Sequence, residues 1–157
     1  MHMLQDEIVA IPPDRQKAFG GARTMLLPSP RTVALQLLKV PRGKLVTMEV
    51  LRRELARLHG VETVCPFQTK QALRAIAGNP EGVAFWRLVA SNGELLKYLP
   101  GGIERQAAQL AEEHVPLEPG GSGQRVRNLK ASLHTFTSND QVAAEGNNGV
   151  QAATSVK

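Results

Sequence analysis

Apolar positions recur along this chain with two different periods, and the change of period marks its elements. In "PSPRTVALQLLKV", Val33 and Leu37, and Ala34 and Leu38, stand four apart on one helical face, with Ser29 placed to cap and Pro30 at the first helical position. After the turn "VPRGKLVT", Thr47 caps a second helix, "MEVLRRELARLHG". Its Leu51, Leu55 and Leu58 share one face, Arg52, Arg53 and Arg57 lie largely off it, and Gly60 ends it. "FQTKQALRAIAGNP" predicts a third helix with Ala72, Leu73, Ala75 and Ile76 inward, closed by Gly78 and Pro80. The period then shifts: an apolar run from Val83 to Val89, the tight Asn92-Gly93 turn and "ELLKYL" read as a β-hairpin. "GGIERQAAQLAEEH" returns to helical spacing, with Ile103, Ala107, Leu110 and Ala111 inward.

Helix, helix, helix, hairpin, helix is an α+β plan, mainly helical: a winged helix-turn-helix-like domain of three helices, a β-hairpin wing and a C-terminal helix. It is expected over residues 24–115. Residues 1–23 mix charges, Pro12-Pro13 and Gly20-Gly21 without either period and read as a loose arm. Residues 116–157, with "PGGSG", "TSND" and "EGNNG", hold few large apolar side chains and are expected to be mostly disordered, with a short helix around Val126 to Leu133. No internal repeat is visible.

Composition narrows the class. The chain has 157 residues, 42% of them hydrophobic, enough for one domain with tails. Residues 20 to 115 carry 13 Lys and Arg against 8 Asp and Glu, so the predicted domain holds the basic excess, which suits a polyanionic partner and equally a solvated basic face. A single cysteine, Cys65, excludes an internal disulfide and a Cys-rich zinc site and points to a reducing, cytoplasmic compartment. Asp6, Glu7 and the two prolines do not suit a signal peptide, and no apolar run approaches a membrane span. No cofactor, metal or membrane partner is expected, and the chain reads as a monomer.

Four fragments in order, "VPRGKLVTMEVL", "AIAGNP", "RLVASNGEL" and "YLPGGIERQAAQL", resemble the DNA-binding domain of O6-alkylguanine-DNA alkyltransferases and alkyltransferase-like proteins, in a divergent branch lacking the active-site cysteine. The resemblance covers residues 25 to about 115. The family's repair chemistry resides in a Pro-Cys-His-Arg signature, which falls here on Ala84-Phe85-Trp86-Arg87. Phe85 stands for the nucleophilic cysteine, Trp86 for the histidine, and Ala107 aligns with the glutamate that orients the histidine. Without thiol, imidazole or carboxylate, alkyl transfer has no nucleophile and no base. Transfer through Cys65 is not expected either, since only His59 stands near it in sequence.

The resemblance implies that the third helix enters the minor groove, with Lys70 at the position of an arginine that fills the space left by a flipped base. It places the DNA-binding set at Lys70, Thr69, Gln71, Arg74, Thr47, Met48 and Arg52, with Met48 where the family has a tyrosine that helps rotate the nucleotide. It places the base pocket at Phe85, Trp86, Arg87, Tyr98, Asn79 and Ser91. On a strand Phe85 and Trp86 point to opposite faces, Phe85 to the pocket and Trp86 to the core. Arg52, Arg53, Arg57, Arg74 and Lys97 are candidate phosphate contacts, each of which also fits a solvated face.

The reading that follows is a non-catalytic protein that binds duplex DNA in the minor groove and senses O6-alkylguanine for repair proteins. Two others stay open: a general winged-helix module for DNA binding or transcription, and a protein-interaction domain without lesion recognition.

Overall fold

The computed structural model describes residues 5–121 and 123–136. Its elements in order are β1 (Glu7–Ala10), a 3-10 helix (Pro13–Phe19), β2 (Thr24–Leu27), α1 (Pro30–Leu37), β3 (Val46–Thr47), α2 (Met48–His59), β4 (Thr63–Val64) and α3 (Pro66–Gly78). They continue with a 3-10 turn (Phe85–Arg87), β5 (Leu88–Val89), α4 (Gly102–Glu112), β6 (Leu117–Gly120), β7 (Gly123–Val126) and α5 (Leu129–Ser132). The fold is α+β with a helix-turn-helix at its centre.

The four expected helices form, and for the expected local reasons. Ser29 caps α1, its hydroxyl accepting from the Thr32 N–H, and Thr47 caps α2 by accepting from Val50. Gly60 closes α2 at φ 65°, a left-handed conformation that glycine adopts without a Cβ clash. The α1 and α4 faces differ in detail from the periodic reading. Leu38, just past α1, is 54% exposed, and Ala111 is exposed on α4, where the buried positions are Gln106 and Leu110.

Residues 5–23 are built into the fold. β1 pairs antiparallel with β2, from Glu7 opposite Leu27 to Ala10 opposite Thr24, and β2 pairs parallel with β4. Asp6 fastens the entry: its carboxylate accepts from the Ser29 N–H and the Thr32 hydroxyl and lies 3.5 Å from His59 Nε2. With only four residues in β1, alternation is too short to register as a strand without its partner.

The expected hairpin wing takes another form. The Asn92-Gly93 turn does reverse the chain, with Ala90 N–H donating to Glu94 O, but the arms do not build a ladder on each other. Phe85–Arg87 coil into the 3-10 turn, and β5 pairs parallel with β3. On the far side of the turn, Leu95 N–H donates to Gln124 O and Val126 N–H to Gly93 O. The partner is thus the β6–β7 hairpin, inside the segment expected to be disordered. Leu117, Val126 and Leu129 anchor that segment against Leu45, Val89, Leu95, Leu110 and Val115, a second core that low average hydropathy over 42 residues conceals. The short helix foreseen near residues 126–133 is α5, and residues 137–157 of the expected tail lie outside the described residues.

Candidate nucleic-acid interface

α3 is positioned from its first turn. Cys65 caps it, Sγ accepting from the Gln68 N–H at 3.5 Å, Pro66 opens it, and the Thr69 hydroxyl donates to Cys65 O at 2.7 Å. Its inner face, Thr69, Ala72, Leu73, Ile76 and Ala77, is buried against α1 and α2. Phe67, Lys70, Arg74 and Gly78 are exposed on the other side, with Gln71 half-buried at their edge. α3 contains two cations and no acid.

The expected DNA-facing set divides accordingly. Lys70, Gln71 and Arg74 reach solvent, whereas Thr69 is wholly buried and Thr47 is buried as a helix cap. Met48 packs half-buried against the main core. Arg52 is occupied, donating through Nε and Nη2 to Val64 O at 3.1 and 2.9 Å, and burial draws its pKa down. Arg57 forks onto Glu54, and Arg53 lies 3.9 Å from Glu49. Lys97 is exposed. These pairings draw three of the basic side chains of helix two toward their own protein. Periodicity reported which face of α2 is wet, not which guanidiniums are already engaged.

A groove of about 580 Å³ runs beside α3, with Pro30, Arg31 and Ala34 of α1 on one wall and Arg74 and Gly78 on the other. Asn79 and Glu81 close its end, the Asn79 amide donating to Glu81 Oε2 at 3.2 Å. Asn79, expected to brace the base pocket, is therefore exposed and turned to Glu81, and Ser91 is exposed in the turn. Arg31, unnoticed in the sequence, joins Arg74 at this groove.

The signature segment is a packed junction. Phe85 is 1% exposed, its ring 5.2 Å from Trp86 edge-to-face and 4.6 Å under the Arg105 guanidinium. Phe85, expected to face the pocket, is core, and Trp86 packs against the cores as well, because a 3-10 turn does not alternate faces as a strand does. Trp86 is half-buried across both cores and donates Nε1–H to Glu113 Oε2 at 2.7 Å. Arg87 forks onto the same carboxylate at 2.8–3.1 Å and donates Nη1–H to Val40 O. Arg87 is thus engaged in the protein interior, not in a base pocket.

Glu113 reaches the signature from a position that the resemblance does not point to. Ala107, aligned with the orienting glutamate, is a half-buried packing residue near Trp86, and the carboxylate that meets position 86 comes from Glu113 at the end of α4. Burial would raise the pKa of Glu113, but hydrogen bonds from Arg87, the Gly43 N–H and Trp86 outweigh it and hold the carboxyl below its ordinary range. Gln106, wholly buried two turns back, accepts from Leu96 N–H and donates to Trp86 O and Leu88 O, locking the segment to α4. A glutamine within the apolar stripe of a helix was the available signal for it.

Tyr98 and Lys70, both expected at the site, do meet: the Lys70 ammonium stands 5.3 Å from the Tyr98 ring centre. The Tyr98 hydroxyl is buried without a hydrogen-bond partner, and desolvation pushes its pKa up to about 12. Cys65 is half-buried as the α3 cap, and His59, the nearest candidate base in sequence, turns its ring to Leu55 O and Asp6. Among the described residues no cluster of three metal-ligating side chains occurs, and no helix is long and apolar enough to cross a membrane.

No protein-family model matches the chain, and no curated protein matches it. Solved structures do. The S. pombe protein Atl1, in complex with damaged DNA containing O6-carboxymethylguanine, aligns over 68% of this chain and 94% of its own, at 27% identity and a TM-score of 0.53. A second S. pombe alkyltransferase-like structure, in complex with DNA, aligns over the same shares at 24% identity and a TM-score of 0.51. The chain therefore shares the fold of alkyltransferase-like proteins.

Proposed function

We propose that this protein is a non-enzymatic duplex-DNA-binding protein that lays α3 in the minor groove and reads O6-alkylguanine damage for repair. The observation that carries the reading is the outer face of α3: Lys70 and Arg74 are exposed with no carboxylate among the described residues paired to either, on a helix without acids, in a fold similar to a protein solved on damaged DNA. Cations on a helix whose backbone is already ordered supply phosphate affinity at the cost of side-chain ordering alone. Phe85 and Trp86 at the signature positions offer no nucleophile or proton acceptor, and the Glu113 carboxylate is engaged by Trp86 and Arg87. A lesion base would meet the ring of Tyr98, over which Lys70 stands.

General duplex binding without lesion preference is the second reading, favoured by the burial of Phe85 in the core at the signature position. Equilibrium binding to two labelled duplexes, one with a single O6-methylguanine and one unmodified, across a salt series, separates them. Tighter lesion binding, with both affinities falling as salt rises, supports damage sensing. Equal, salt-sensitive binding supports the general module. No binding to either duplex overturns both and leaves a protein-interaction domain.

A further inference from the structure

We propose that Phe67 is the side chain this protein inserts between stacked base pairs, a role that rests on the DNA-binding reading above. Phe67 is 61% exposed in the first turn of α3 and belongs to neither core. Among the described residues no ring or cation stands on its face. Leaving a phenylalanine in water is unfavourable, and here the surroundings narrow what would cover it. The other large exposed apolar side chains, Ile8, Leu35 and Leu38, belong to β1, α1 and the residue after α1. The neighbours of Phe67 on its own helix face are Lys70, Gln71 and Arg74, which suit a polyanion and not an apolar protein patch.

The geometry suits insertion. Phe67 and Arg74 are seven residues apart, so they project from one face about 10.5 Å apart along the axis, close to three base steps. Lys70 is drawn over the Tyr98 ring at 5.3 Å, which leaves Phe67 as the bulkiest free projection of the first turn. Pro66 and the buried Thr69, tied to Cys65 O, hold that turn rigid, so little order is lost on docking. Apolar wedges of this kind unstack a base step and kink the duplex in many minor-groove binders.

The test uses the full chain and duplexes carrying 2-aminopurine at successive positions, whose fluorescence rises when the base is unstacked. For the unsubstituted protein a rise is expected at one step. Phe67→Ala is expected to abolish that rise and weaken binding about tenfold, within the range that aromatic stacking on a base supplies, while leaving the salt slope unchanged. Phe67→Trp is expected to keep both signal and affinity. Because the side chain is exposed, thermal unfolding of each variant is expected to match the parent. Salt-sensitive binding in which Phe67→Ala retains signal and affinity overturns the wedge and spares the DNA-binding reading. Absence of duplex binding by the unsubstituted protein overturns both.

Discussion

Glu113 illustrates how much one side chain can organise: its carboxylate gathers Arg87, the Trp86 indole and the Gly43 amide, at 2% side-chain exposure. Glu113→Ala leaves a mostly buried guanidinium and two N–H groups uncompensated, and is expected to cost about 3 kcal/mol in denaturant unfolding. Because the folded pKa is lowered, the stabilisation is complete above the ordinary glutamate value of about 4.3 and is lost as pH falls through the folded value. Glu113→Gln should therefore flatten part of the acid limb of stability, leaving the share of Asp6 and Glu62, whose pKa values are also lowered. Tyr98 acts at the other end. Its pKa of about 12 means that stability is full below about 10 and declines as pH rises from there toward 12, where only the unfolded chain ionises. Tyr98→Phe is expected to remove that alkaline loss and to leave neutral-pH stability unchanged or raised by up to about 1 kcal/mol, since the hydroxyl has no partner. A loss above that size in thermal unfolding would mean the hydroxyl is satisfied.

At the scale of elements, local signals carried most of the prediction. Ser29, Thr47 and Gly60 cap or end their helices as read, because a cap depends on a few consecutive residues and the backbone they bend. Gly60→Ala gives a clean measure of one such term. No atom lies within 4 Å of a Cβ there, so the expected cost is the left-handed strain alone, about 1 kcal/mol by denaturant titration. Gly101→Ala should cost more, since its Cβ would collide with the Arg105 side chain as well as sit at φ 86°. The strands were less legible. β1, β3, β4 and β5 have two to four residues each, and a strand that short exists only through its partner: β3 through β5, β1 through β2. The Val83–Val89 run was apolar because it is buried from several sides, and a buried 3-10 turn and a buried strand look alike in composition.

For the whole molecule, the basic excess becomes meaningful only once the pairings are known. Arg23, Arg57, Arg87 and Arg125 face carboxylates, whereas Lys70 and Arg74 remain exposed on α3. In duplex-binding titrations over a salt series, Lys70→Ala and Arg74→Ala are each expected to lower the magnitude of the log-affinity against log-salt slope by about 0.9, while Arg57→Ala leaves it unchanged. The amino-acid sequence by itself determined four helices, the N-caps of the first two, the helix-turn-helix order and a basic central region, since these follow from spacing and from residue types with strong local preferences. Only the tertiary structure decided that Phe85 is core and Trp86 half-buried, that Glu113 is the carboxylate gathering Trp86 and Arg87, and that β6 and β7 complete the fold against Gly93 and Leu95. Each of those depends on groups brought together from distant parts of the chain. Their energies come from burial and hydrogen bonds that do not exist until the chain has folded.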